Sequence, residues 1–122
     1  MTKHINLYSK FDKFGDYWSP KVIAEMNDYQ FKLVKIKGEF VKHQHSDTDE
    51  VFIVIEGKMS IEFKTETIEI KNGEMIVVPK GVVHKPFADE ECKVMLVEPR
   101  GVLNTGDTKG NLTAPRFSIN KT

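Results

Sequence analysis

From Tyr29 onward the chain alternates short runs of aliphatic and aromatic residues with breaks of glycine, proline, asparagine and lysine. Side chains on a strand point to alternate faces, so these runs predict strands at 29–36, 40–45, 50–56, 58–64, 67–71, 74–79, 83–88 and 92–98. The breaks at Gly57-Lys58, Lys64 to Glu66, Lys71-Asn72-Gly73 and Pro79-Lys80-Gly81 are built from residues that tolerate tight-turn dihedrals. Upstream, Val22 to Ala24 precedes an Asn27-Asp28 turn signal, and Ile5, Leu7, Phe11 and Phe14 are loosely spaced through a polar opening. That opening reads as a short helix or arm ended by Gly15. Many short strands at regular spacing predict an all-β fold, a small antiparallel barrel or sandwich.

Several strands are apolar on both faces. Phe52 and Val54 share the face of Glu50, while Val51, Ile53 and Ile55 occupy the other, and a half-exposed strand would not keep both sets. The amino-terminal arm, a second sheet or a second copy of the chain must cover the outer face, which predicts a homodimer. At 122 residues, with no repeat, low-complexity stretch or linker, residues 1–122 are expected to form a single domain.

The chemistry concentrates in three of the four histidines and one glutamate. His43 and His45 are two apart, so on an extended strand both face one side with their Cβ atoms roughly 7 Å apart, while Lys42 and Gln44 face the other. The polar stretch Ser46-Asp47-Thr48-Asp49 reads as a turn returning the chain antiparallel, which sets Glu50 beside the histidine pair. His84 has to arrive from another strand. Imidazole nitrogen with carboxylate oxygen suits iron(II), manganese, nickel, copper or zinc and suits calcium or magnesium poorly, so one divalent transition ion is the expected cofactor.

The spacing Gly38-(x4)-His43-x-His45-(x4)-Glu50-(x6)-Gly57, followed after fifteen residues by Gly73-(x5)-Pro79-x-Gly81-(x2)-His84, resembles the two signature motifs of the cupin superfamily. Motif 1 spans 38–57 and motif 2 spans 73–88. The first glycine sits one residue closer to the histidines than usual, and the family's frequent asparagine after the last histidine is Ala88. Neither departure touches a ligand position. The resemblance implies a double-stranded β-helix or jelly-roll barrel with His43, His45, Glu50 and His84 as metal ligands. The tail from Glu98 to Asp107 is also similar to the ending of small single-domain bacterial cupins.

Strand parity sketches the surrounding pocket. Val41 shares a face with the first two histidines, Phe52 and Val54 with Glu50, and Pro86 with His84; Met59, Ile61 and Phe63 are candidates for the same lining. A mostly apolar cavity with one polar focus favours a small molecule that gives oxygen donors to the metal and an apolar body to the walls. Arginine occurs only at 100 and 116, so no bidentate phosphate clamp is available and sugar phosphates fit less well. Glu98, Tyr29 and Lys80 are acid or base candidates whose first reading is structural or surface.

Eighteen basic and eighteen acidic residues leave no electrostatic footprint for nucleic acid or an anionic membrane. Cys92 is the sole cysteine, so no intramolecular disulfide forms, and its expected role is strand packing. The opening Met1-Thr2-Lys3-His4-Ile5-Asn6 lacks an apolar signal region, and the longest apolar run, Val51 to Ile55, is far short of a membrane span. A cytoplasmic protein is expected. The functional expectation is a metal-dependent enzyme of dioxygenase, isomerase or decarboxylase type, with a non-catalytic sensor or carrier of a small molecule or metal as the alternative.

Overall fold

The computed structural model describes residues 2–106 and the strand at 117–118; Asp107, the end of the tail segment noted above, lies outside the described residues. The polar opening contains a five-residue helix, α1 (Leu7–Phe11), whose start is capped by Asn6 Oδ1 accepting from the Ser9 N–H at 3.0 Å. Eight strands follow: β1 (Lys21–Met26), β2 (Tyr29–Glu39), β3 (Glu50–Glu56), β4 (Lys58–Glu62), β5 (Thr67–Lys71), β6 (Met75–Val78), β7 (Lys85–Pro99) and β8 (Phe117–Ser118).

The long strand β7 organises the sheet. One of its edges pairs with β2 along almost its whole length, from Tyr29↔Pro99 to Glu39↔Phe87. The other edge is shared: residues 85–87 pair with β4 and residues 93–97 pair with β3. β5 extends β4, β6 extends β3, β1 extends β2, and β8 lies parallel to β1. The strands expected at 83–88 and 92–98 belong to one element. Asp89, Glu90 and Glu91 between them form an exposed bulge within it, opposite an irregularity between Ile36 and Gly38, and mark where β7 changes partner.

The expected strand at 40–45 is also corrected. The segment is extended but carries only a bridge between His43 and His84, with both N–H to O=C bonds made at 2.9 and 2.8 Å. Phe40 N–H adds a bond to the Pro86 carbonyl at 3.0 Å. The stretch therefore docks on the start of β7 rather than forming a hairpin with β3. His43 and His45 still share the inward face and are buried, and Phe40 is buried with them at the opposite parity. The 46–49 loop packs on the turn before His84 instead, through Lys80 N–H to Asp49 Oδ1 at 2.9 Å and Gly81 N–H to the His45 carbonyl at 2.8 Å.

The inner faces enclose the main core, which includes Val34, Ile36, Phe52, Val54, Met59, Ile61, Val94 and Leu96. Cys92 packs there, and burial pushes its thiol up to about 11. Gly57 turns β3 into β4 at φ +103, where a Cβ would stand 3.1 Å from the Glu91 carbonyl oxygen. On the outer face, Phe11 of α1 and the partly buried Leu7 and Phe14 pack with Leu33, Phe31, Ile55 and Met95. The amino-terminal arm thus covers part of the sheet's apolar outer side. Among the described residues, no helix is long and apolar enough to cross a membrane.

Candidate metal centre

The bridge between His43 and His84 and the start of β3 bring four side chains together on the inner side of the sheet. His43, His45, Glu50 and His84 are all buried, and one donor atom from each lies within 4.8 Å of the others. Glu50 Oε1 is 3.2 Å from His45 Nε2 and 3.1 Å from His84 Nε2. The rings of His43 and His84 have centroids 4.4 Å apart. Segments separated by about a third of the chain thus converge on one point.

The protons on two rings follow from their neighbours. A carbonyl only accepts, so His43 Nδ1–H donates to the Val41 oxygen and His84 Nδ1–H to the Val82 oxygen, each at 2.9 Å. Nε2 of a neutral ring then carries the lone pair, which is the atom a metal takes, and the carbonyl fixes the ring's orientation. Burial holds the His43 imidazole down at about 4, so it is neutral near pH 7, and its Nε2 is buried with no hydrogen-bond partner among the described residues. Around Glu50, burial acts to raise the carboxyl, but the His45 and His84 imidazoles outweigh it and hold the group below the ordinary carboxylate range. His84 Nε2 stands 3.1 Å from Glu50 Oε1, and His43 Nε2 is a buried atom with no hydrogen-bond partner among the described residues. A cation among them supplies that partner and offsets the Glu50 charge, so the donor set fits a divalent ion.

Residues 32–98, more than half of the chain, match the family model described as the cupin domain. The chain belongs to the cupin family. A cupin-2 domain-containing protein from Shewanella frigidimarina NCIMB 400 is 64% identical in sequence and superposes with a TM-score of 0.78, covering 79% of this chain and 94% of that one. Protein NMB1881 from Neisseria meningitidis is 35% identical, with a TM-score of 0.73 over 80% of this chain and 99% of its own. The uncharacterised protein YdbB of Bacillus subtilis strain 168 is 37% identical over 86 residues, which are 70% of this chain and 76% of YdbB.

Two spaces flank the cupin's histidine cluster. A small cavity of about 30 Å³ is bordered by His43 and Glu50 and walled by apolar residues including Trp18, Phe40, Phe52, Pro86 and Leu96. On the side of His45, a mixed polar pocket of about 370 Å³ lies between residues 45–48 and 99–106. Of the residues that parity assigns to the lining, Phe52 and Pro86 border the cavity, whereas Val54, Met59 and Ile61 sit in the core. The Phe63 ring lies 6.5 Å from that of His84, and Val41 supplies the carbonyl that orients His43.

Several residues near the cupin's site escape the motif reading. Trp18 stacks on Phe40 at 4.4 Å between ring centroids, at an angle of 14°. The 101–106 segment closes over His45: at Gly106, φ +57, a Cβ would fall 2.1 Å from the Gln44 carbonyl oxygen and 3.2 Å from His45 Nδ1. Glu98 and Lys32 form a buried ion pair at 2.9 Å, and Lys32 Nζ also donates to the Val102 carbonyl at 3.3 Å. Burial first, and then the Glu50 carboxylate, push the Glu98 carboxyl well above its ordinary range against the pull of Lys32. A signal for this pair exists in the sequence: Glu98 ends the inward row Cys92, Val94, Leu96, and Lys32 begins the inward row Val34, Ile36. Tyr29 and Lys80, the other two acid or base candidates, are both exposed.

Proposed function

We propose that this cupin is a metal-dependent enzyme acting on a small molecule. The observation that carries the reading is a buried set of three imidazoles and one carboxylate, with donor atoms within 4.8 Å, placed beside open space rather than sealed in the core. Three nitrogens and one oxygen suit iron, manganese, nickel, copper or zinc, and four protein donors leave positions for a substrate on an ion that accepts six. When bound, such an ion supplies Lewis acidity toward a carbonyl or, as iron(II), redox chemistry with dioxygen.

The chain's own residues do the rest. His43, His45, Glu50 and His84 hold the ion, and the Val41 and Val82 carbonyls aim two of the rings. Phe52, Pro86 and Phe63 exclude water from one side, with Val41 at the edge and Val54, Met59 and Ile61 packed behind them. The pocket beside His45 is the entrance for a ligand with oxygen donors. The test is turnover: iron-reconstituted protein is expected to consume dioxygen, or zinc-, nickel- or manganese-loaded protein to convert a carbonyl substrate, in a panel of small diketones, catechols, thiols and hydroxyketones. Tight binding across the panel with no turnover under any of these ions contradicts the enzyme reading and selects the carrier or sensor.

A homodimer is part of the same proposal. Met75 and Val77 on the edge strand β6 are more than half exposed, at 57% and 53%, and pair with Ile53 and Val51 to continue an apolar outer face beyond the reach of α1. A second copy covering that face gives a particle of twice the 14.0 kDa chain mass. Light scattering coupled to sizing at micromolar concentration is expected to report the dimer, and Val77→Lys to convert it to monomer. A wild-type monomer contradicts this assignment.

A further inference from the structure

The buried pair on β2 and β7 is not used by the metal ligands. Glu98 is 2% exposed; its Oε1 accepts from Lys32 Nζ, while its Oε2 is buried with no hydrogen-bond partner among the described residues. A carboxylate oxygen left this way loses its hydration with nothing in return, so such a group in a folded interior points to a partner that the described residues do not supply. Alternation along β7 gives Glu98 the inner face of Val94 and Leu96, both of which border the small cavity with His43 and Glu50. Val51 pairs with Val97, so the next positions on the two antiparallel strands are Glu50 and Glu98. The charged and titratable groups that act on Glu98 are Glu50, Lys32 and His45.

We propose that Glu98 is a positioning residue for the exchangeable ligand of the metal: with Oε1 fixed by Lys32, Oε2 accepts a hydrogen bond from a water or a substrate hydroxyl bound at the ion. The inference rests on the metal reading of the His43, His45, Glu50 and His84 cluster and narrows its substrate class. An acceptor oxygen held at the strand position next to Glu50 would favour ligands that bring an O–H donor with their metal-binding oxygen, such as a hydroxyketone or a singly protonated catechol. It disfavours small anions and dicarboxylates that bring only lone pairs, because acceptor would face acceptor. No bond is made or broken by Glu98 in this role.

The test uses the full chain loaded with cobalt(II), whose visible absorption reports occupancy, and azide as the anionic probe. Glu98→Gln keeps an oxygen for Lys32 and replaces Oε2 by an N–H donor. Azide is expected to bind this variant roughly tenfold more tightly or better than wild type, the scale of removing a like charge a few ångströms away. Cobalt affinity is expected to change by less than about threefold, since all four ligands remain. Unchanged azide affinity in a folded, cobalt-loaded Glu98→Gln protein overturns the proposal while leaving the metal reading intact. Failure of the wild-type protein to bind cobalt overturns both. If Glu98→Gln does not fold, the structure of the zinc-loaded wild-type protein decides: a zinc-bound water within hydrogen-bond distance of Oε2 supports the assignment, and Oε2 turned onto Lys32 or Val102 overturns it.

Discussion

Glu50→Ala is expected to abolish stoichiometric metal binding. Glu50 is the only carboxylate of the cluster, and its Oε1 lies 3.2 Å from His45 Nε2 and 3.1 Å from His84 Nε2. Its loss removes the sole negative charge that offsets a divalent ion among three neutral imidazoles. Changes to groups that merely orient a ligand typically cost 10–100-fold in affinity, so removal of a ligand is expected to exceed roughly 100-fold. His45→Ala is expected to behave similarly. Gln44→Ala is the control, because Gln44 is only half-buried between two inward histidines and contributes no donor atom to the cluster. Elemental analysis of untagged protein after dialysis is expected to find about one ion per chain in wild type and Gln44→Ala and less than about a tenth in the other two. Equal metal content in all of them contradicts the ligand assignment.

Lys32→Met is expected to produce the largest loss of stability, and a pH-dependent one. The pair it breaks is almost wholly buried, with side-chain exposures of 5% for Lys32 and 2% for Glu98. Removing one partner of a buried ion pair typically costs about 3–5 kcal/mol, because the remaining charge is left without compensation. Glu98 has an escape that a permanent charge lacks, since it can take up a proton. Burial and the Glu50 carboxylate already raise its folded-state pKa, so between its unfolded value and the raised one the folded chain holds a proton that the unfolded chain has released. Stability from this group is therefore lost as pH rises through that window. Without Lys32 the window extends further upward. The variant is expected to melt about 10 °C or more below wild type at pH 8, with the gap shrinking toward pH 5. Calorimetry that finds a small gap independent of pH contradicts the account of this pair.

The convergence of His43, His45, Glu50 and His84 was legible because β alternation and turn chemistry are local. His43 and His45 face inward whether the segment is a full strand or the bridged stretch observed, since parity survives the loss of ladder pairing. Gly57, Gly73 and Gly81 mark turns at positive φ, as the breaks in the hydrophobic pattern imply. Pairing partners were less legible. The 46–49 turn suggests a hairpin between His45 and Glu50, yet His43 bonds to His84 and β3 lies between β6 and β7, because pairing depends on contacts far apart in the chain. The gap between the strands expected at 83–88 and 92–98 is likewise filled, because the partners of β7 on both sides show 89–91 to be a bulge within one strand. The Lys32–Glu98 pair was legible only in part: each residue falls in the inward row of its strand, but only the β2–β7 register makes them neighbours in the interior.

One transition ion is expected among the three imidazoles and one carboxylate at the inner face of this sheet. Anomalous diffraction at the zinc edge, from crystals grown with excess zinc, tests it most directly. The account predicts one dominant peak about 2.0–2.2 Å from Nε2 of His43, His45 and His84 and from a Glu50 carboxylate oxygen. A map in which those four side chains remain together with no peak among them, or in which zinc binds only elsewhere, would contradict it.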